Sequence, residues 1–228
     1  MRLREGANWM RILPPLEGSS GWMKGVLAHS TSRGKWTHPR TFDPTARSVW
    51  DDVRDHLHKT DPSRLASRKN PNGGLNLRPA PVSLMWVLVR ESEAEDSPYV
   101  CRLLVQSGYS GEWGGHPGLG HQILELSRER DEAGELQHPI AGTEDGVQVC
   151  IQMTTGKESR FSRYGLRAGT TPAPISGCLD RLAPGEAEAL CPLEEVLRPM
   201  SAEEQWERLA RLMPAAEVTA IRRAISHP

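Results

Sequence analysis

Apolar residues in this chain fall first into short runs of strand type and only late into helical stripes. Met10-Arg11-Ile12-Leu13 and the segment 23–28 are brief apolar stretches set among Pro14-Pro15 and Gly18-Ser19-Ser20-Gly21, and each predicts a strand. Ser32-Arg33-Gly34-Lys35 predicts a hairpin connection after the second. Val49, Val53 and Leu57 recur four residues apart and predict a helix over 49–58, with Asp51, Asp52 and Asp55 on its solvent face. The two most continuous apolar runs of β type, 82–89 and 99–105, predict paired central strands with the acidic stretch 91–96 between them. Val147, Val149, Ile151 and Met153 alternate through 146–154, the clearest two-residue period in the chain, and predict a half-buried strand. Residues 107–120 hold too many glycines for regular structure, and a helix is expected behind them over 121–130. Another is expected over 201–212, where Ser201 and Glu204 have the spacing of a capping box ahead of Trp206, Leu209, Ala210 and Met213. A last helix, 215–225, follows Pro214. The pattern predicts an α+β chain, mainly β with helices.

The 228 residues suffice for one sizeable core or two small ones. Hydrophobic residues make up 37% and the mean hydropathy is -0.52. No run approaches the ~18 apolar residues of a membrane span, and the N-terminal stretch has no apolar signal core, so a soluble, unsecreted protein is expected. Cys101, Cys150, Cys178 and Cys191 stand far apart without a C-x-x-C pair, the pattern of buried reduced thiols rather than of a disulfide framework or a thiolate zinc knuckle. Twenty-eight basic against 29 acidic residues give a net charge of -1, which at first sight argues against a polyanionic partner. The sum hides opposite blocks. Residues 2–78 hold 14 basic and 7 acidic side chains, a net of +7, and 79–147 hold 4 and 12, a net of -8. Residues 148–174 return to +3 and 175–228 to -3.

Basic and aromatic residues interleave in three places. Lys24, Arg33, Lys35, Trp36 and Arg40 surround the first hairpin, Arg64, Arg68, Lys69 and Arg78 line a polar glycine-rich loop over 67–77, and Arg160, Phe161, Arg163 and Tyr164 follow the best strand. A single-strand binder needs this mixture: cations follow the phosphates, and aromatic faces stack on bases at about 1–3 kcal/mol each whatever the sequence. Three such clusters in a chain with seven Trp, three Tyr and two Phe point to strand binding. Other chemistry has less behind it. His56 and His58 diverge by about 200° on a regular helix, and no cysteine stands near His29 or His38, so no metal and no cofactor is expected. Asp51, Asp52 and Asp55 are the ligands a metal-dependent nuclease would use, one alternative reading. The glycine-rich 107–120 fits neither the phosphate-loop nor the dinucleotide pattern, and no G-x-S-x-G elbow occurs. An RNA-binding or RNP-assembly module and a protein-binding adaptor are the remaining alternatives.

Four segments taken in order carry a resemblance. Residues 3–15, LREGANWMRILPP, set a Gly/Asn turn before a hydrophobic-Arg-hydrophobic-Leu-Pro run. Val26-Leu27-Ala28-His29 continues to Gly34-Lys35-Trp36, Met85-Trp86-Val87-Leu88-Val89-Arg90 precedes an acidic turn, and 146–153 leads to Ser159-Arg160-Phe161-Ser162-Arg163-Tyr164. In order and spacing, over residues 3–200, the chain resembles the single-stranded DNA-binding, helix-destabilising proteins of T-even and related tailed phages. The resemblance implies an OB-fold five-stranded barrel core with long loop insertions over 1–200, a degenerate former zinc-type insertion at 41–78, and a C-terminal helical segment at 201–228. It implies a cleft with Lys35, Trp36, Trp86, Arg160, Phe161 and Tyr164, to which charge and position add Lys24, Arg33, Arg40, Arg68, Lys69 and Arg163. A content of 37% apolar residues then fits one small barrel with long loops better than two full cores.

Departures from the family are expected to matter. Its zinc subdomain uses a His and three Cys; His29 matches the His, but no cysteine precedes Cys101, so the metal is expected to be lost and the helix near Val49–Leu57 held by packing. A basic N-terminal arm and a long acidic tail, which serve cooperativity in the family, have no counterpart here. The helices from Ser201 onward are expected either to dock replication or recombination proteins or to pack on the core. The resulting expectation is a non-enzymatic, sequence-independent single-stranded DNA-binding protein of replication, recombination or repair, working at the nucleoid in a bacterial cytoplasm, with no membrane partner.

Overall fold

The structure, a computed structural model, describes residues 3–31, 34–66, 74–92, 94, 96–108, 117–154 and 163–226. In chain order its strands and α-helices are β1 (Gly6–Ile12), β2 (Lys24–Thr31), β3 (Gly34–Thr37), α1 (Val49–Thr60), β4 (Ala80–Arg90), β5 (Tyr99–Ser107), α2 (Leu119–Leu126), β6 (Val147–Thr154), β7 (Arg163–Pro172), α3 (Ile175–Leu179), α4 (Leu193–Val196), α5 (Ala202–Leu209) and α6 (Ala215–Ser226). They form an α+β protein in two compact units, residues 1–25 with 82–196 and residues 26–81 with 197–228. No helix among the described residues is long and apolar enough to cross a membrane.

The first unit is built on antiparallel strands in the order β5-β4-β1-β6-β7. The predicted central pair is β4 with β5, in register from Val82↔Ser107 to Arg90↔Tyr99. One face of the sheet collects Met10, Ile12, Met85, Val87, Leu104, Val149 and Ile151, all at most 1% exposed, and α2 covers it with Leu119 and Ile123. A fully buried Leu- or Ile-sized side chain contributes about 1.5–3 kcal/mol, so this layer is the unit's main source of stability. The start of α2 lies so close to β4 that a Cβ on Gly120 would come within 2.6 Å of Ser83. Two glycines of the stretch read as irregular, Gly118 and Gly120, thus let a helix begin, and α2 starts two residues earlier than the pattern predicts.

The sheet is open, and the closed five-stranded barrel that the resemblance implies does not form. Closure needs β5 and β7 to pair, yet both are edges of this sheet. The edge of β5 is occupied: Tyr99 N donates to Arg181 O at 2.8 Å, Ala183 N to Tyr99 O at 2.8 Å, and Cys101 N to the Glu186 carboxylate at 2.8 Å. These bonds close the first residues of the β5 edge, Tyr99 to Cys101, to another strand. At the inner end of β1, Arg11 is fully buried and donates to the carbonyls of Ile12, Ala173, Ile140 and Gly142, fastening the connection ahead of β6 and the chain leaving β7 to one guanidinium.

The second unit joins the β2–β3 hairpin to α1, α5 and α6. The hairpin pairs His29 with Trp36 and Thr31 with Gly34, as the turn expected at Ser32–Lys35 requires. Trp36, Trp50, Val53, Leu57, Leu77, Leu209, Met213, Val218 and Ile221 form its core. The segment from α5 to α6 contributes the last four, and both helices pack on α1 as part of this unit. Gln205 of α5 caps the start of α1, accepting from Val49 N at 2.9 Å and, through its carbonyl, from Trp50 Nε1 at 3.3 Å. Packing against α5 and α6 and the Gln205 cap hold α1 in place.

Candidate nucleic-acid interface

Of the residues expected to contact a strand, Arg33, Arg68, Lys69, Arg160 and Phe161 lie outside the described residues. Lys35 pairs with Ser30 in the hairpin and Arg163 opens β7 opposite Thr154. The others are placed differently from expectation. Lys24 Nζ lies 3.3 Å from Glu194 Oε1, with Ser20 Oγ donating to the same oxygen at 2.6 Å. Arg40 is half-buried and its Nε donates to Ala46 O at 3.4 Å. Trp36 is 8% exposed, stands edge-on to Trp50 with ring centroids 4.4 Å apart, and has the Arg208 guanidinium 5.1 Å above its ring. It is a core residue with no open face to offer a base. Trp86 is half-buried against Leu13, Leu88 and Ile175 and its Nε1 donates to Cys191 O at 2.9 Å, so its indole is likewise committed. Tyr164 is 41% exposed, at the outer end of β7.

The carboxylates of the nuclease alternative do not converge. Asp51, expected on the solvent face of α1, is fully buried and takes His38 Nε2 at 2.8 Å, while Asp52 and Asp55 lie on the surface against Arg47 at 2.8 and 2.6 Å. Burial pushes the Asp51 carboxyl up, but hydrogen bonds from the Ser48 backbone and from His38 outweigh it and hold the pKa below the usual range. His29 is 1% exposed, with Nε2 3.3 Å from Ser48 Oγ. Burial, then the neighbouring His38, lowers its pKa to about 4. The residues present do not fit the family's zinc: His29 has no cysteine in its own unit, and the described residues hold no group of three or more His, Cys, Asp or Glu able to bind a metal.

Among the described residues three aromatic side chains are well exposed, Phe42 at 47% and Trp9 and Tyr164 at 41% each, and Trp9 is one that the interleaved clusters did not include. In the register Trp9 faces Cys150 of β6, and Cys150 faces Arg167 of β7. Side chains of a strand alternate between faces, so Ala7 and Trp9, Cys150 and Gln152, and Gly165, Arg167 and Gly169 share the sheet face opposite the core. The Arg167 guanidinium lies over the Trp9 ring, 5.0 Å from its centroid. On β7 it stands between Gly165 and Gly169, and a Cβ at Gly169 would sit 3.7 Å from the Trp9 ring. Glycines flank Arg167 on this face, and the exposed indole and the guanidinium lie across from Cys150, which is fully buried. Among the described residues no carboxylate lies within ion-pair distance of Arg167, whereas Arg47, Arg54, Arg64, Arg102, Arg198 and Arg222 each have one. A guanidinium over an exposed indole is worth about 0.5–1 kcal/mol. A nucleobase stacked on an aromatic side chain is worth about 1–3 kcal/mol. The signal that points to it in the sequence is the alternation of Arg163, Gly165, Arg167 and Gly169 with Tyr164, Leu166 and Ala168.

No family model and no curated protein matches this chain.

Proposed function

We propose that this protein binds single-stranded DNA without sequence preference and without catalysing its chemistry, and that the open face of β1, β6 and β7 is where bases stack. The observation that carries this is Trp9, exposed under Arg167, which among the described residues has no carboxylate within ion-pair distance, on a sheet face shared with Ala7, Cys150, Gln152, Gly165 and Gly169. A sheet face with an exposed stacking ring and a cation beside it suits a strand whose bases are unpaired; in a duplex the base faces are already stacked on each other. The connection from β6 to β7 carries Lys157, Arg160 and Phe161, which puts part of the +3 block of 148–174 next to this strand pair in sequence, together with Arg163 at the head of β7. Kinship with the phage helix-destabilising proteins belongs to the same proposal, with the OB-type cleft replaced by the outer face of an open sheet. Coating of exposed single strands during replication, recombination or repair in the cytoplasm follows from that reading. The C-terminal helices spend their apolar face on the core, which leaves their charged face for any protein partner.

Titration of labelled oligo-dT, its duplex with oligo-dA and an equal-length oligo-U, followed by anisotropy and intrinsic Trp fluorescence, tests the reading. Expected are tight binding of oligo-dT, far weaker binding of duplex, quenching of Trp emission, and, for about five neutralised phosphates, a slope of log affinity against log salt near about -3.5. Equal affinity for duplex, or no oligo-dT binding at low salt, contradicts it. Preference for oligo-U would move the ligand to RNA.

A further inference from the structure

The geometry points to Arg167 as an exchangeable cover on Trp9: a nucleobase displaces the guanidinium from the indole, and the displaced guanidinium takes the phosphate of the same nucleotide. This rests on the single-strand reading above and adds to it how the site is kept while empty and how it is charged when filled. Three observations carry it. The guanidinium lies over the ring that a base would need, 5.0 Å from the centroid, while the ring remains 41% exposed, so the cover is partial. Among the described residues no carboxylate holds Arg167 there, in contrast to Arg222, which lies over Trp206 but is tied to Glu203 at 2.7 Å. And the residues two before and two after Arg167 on its face are Gly165 and Gly169, so no neighbouring side chain on β7 blocks a swing along the strand. A planar guanidinium suits both states, since it stacks on an aromatic face and pairs with two phosphate oxygens at once. In the free protein the cover shields an exposed Trp from non-specific contacts; in the complex its charge is used a second time.

The test compares the full-length wild type, R167A, R167K, W9A and W9F with oligo-dT over a tenfold range of salt. Loss of one phosphate contact makes the salt slope shallower by about 0.7, so the affinity deficit of R167A should shrink about five-fold between the lowest and the highest salt. R167K, which keeps a charge, should retain the wild-type slope. In the free proteins, acrylamide quenching of the Trp9 contribution, obtained by difference from W9F, should rise in R167A. An R167A slope equal to wild type, or quenching that does not rise, overturns the exchange while leaving strand binding intact. Wild type that fails to bind overturns the single-strand reading and the exchange with it; W9A that binds as wild type does overturns stacking on Trp9, and with it the exchange. Unchanged circular dichroism of R167A, whose side chain is exposed, excludes misfolding as the cause.

Discussion

Two buried polar side chains set the sharpest expectations at the residue scale. Arg11 satisfies four backbone carbonyls from inside the first unit, and burial lowers its pKa. Arg11→Met strands those acceptors at a cost of about 1–3 kcal/mol for each that finds no substitute, and Arg11→Lys, with three donors for four carbonyls, should rescue only in part. A Cβ on Gly146 would collide with the Arg11 guanidinium and the Gly142 carbonyl, so Gly146→Ala should lower the urea midpoint in the same direction. His29 sets a pH dependence. Its folded pKa, about 4, lies below its ordinary 6.5, so between those values the unfolded chain binds a proton that the folded chain refuses. Stability should therefore fall as pH drops from about 6.5 to about 4, by up to about 3 kcal/mol, and be insensitive to this group outside that window. Urea unfolding of wild type and His29→Gln between pH 7 and 4 checks it: the variant should lose that part of the slope. None of this burial was legible in the sequence, where Arg11 reads as one more cation and Asp51 as a solvent-facing carboxylate; one-dimensional periodicity marks the apolar stripe but not which polar neighbours the fold closes over.

The strands and helices with clean periods are where sequence and structure agree. β4, β5 and β6 fall where their apolar runs put them, and Ser201 with Glu204 makes the predicted capping box at α5. β7 went unread because Gly165 and Gly169 dilute its β-propensity, and those glycines flank Arg167 on the Trp9 face. α1 has a second capping box, Ser48 with Asp51, whose shorter acid departs from the Glu or Gln of the usual template. The two caps differ in surroundings: Ser201 is exposed, whereas Ser48 is 1% exposed and also contacts His29 and the Asp51 carboxylate. Ser201→Ala should cost about 0.5–1 kcal/mol and Ser48→Ala about 2 kcal/mol, readable by thermal unfolding.

For the whole molecule, the charge blocks point towards a polyanion, but two of the expected aromatics face inward while Tyr164 is 41% exposed. Trp36 and Trp86 are anchored in cores, and the 37% apolar content, read as one small barrel, is shared between the cores of two units. A Trp in a basic stretch and a Trp on a sheet face cannot be told apart until pairing fixes which parity faces the core. Trp36→Ala should accordingly act through the second unit's stability, not through strand affinity alone. The central claim stands on Trp9. Anisotropy titration of labelled oligo-dT with wild type and Trp9→Ala, at equal salt and with folding confirmed by circular dichroism, tests it most directly. Removal of one stacked base predicts an affinity loss of roughly 5- to 150-fold. Equal affinity of the two proteins would contradict the account.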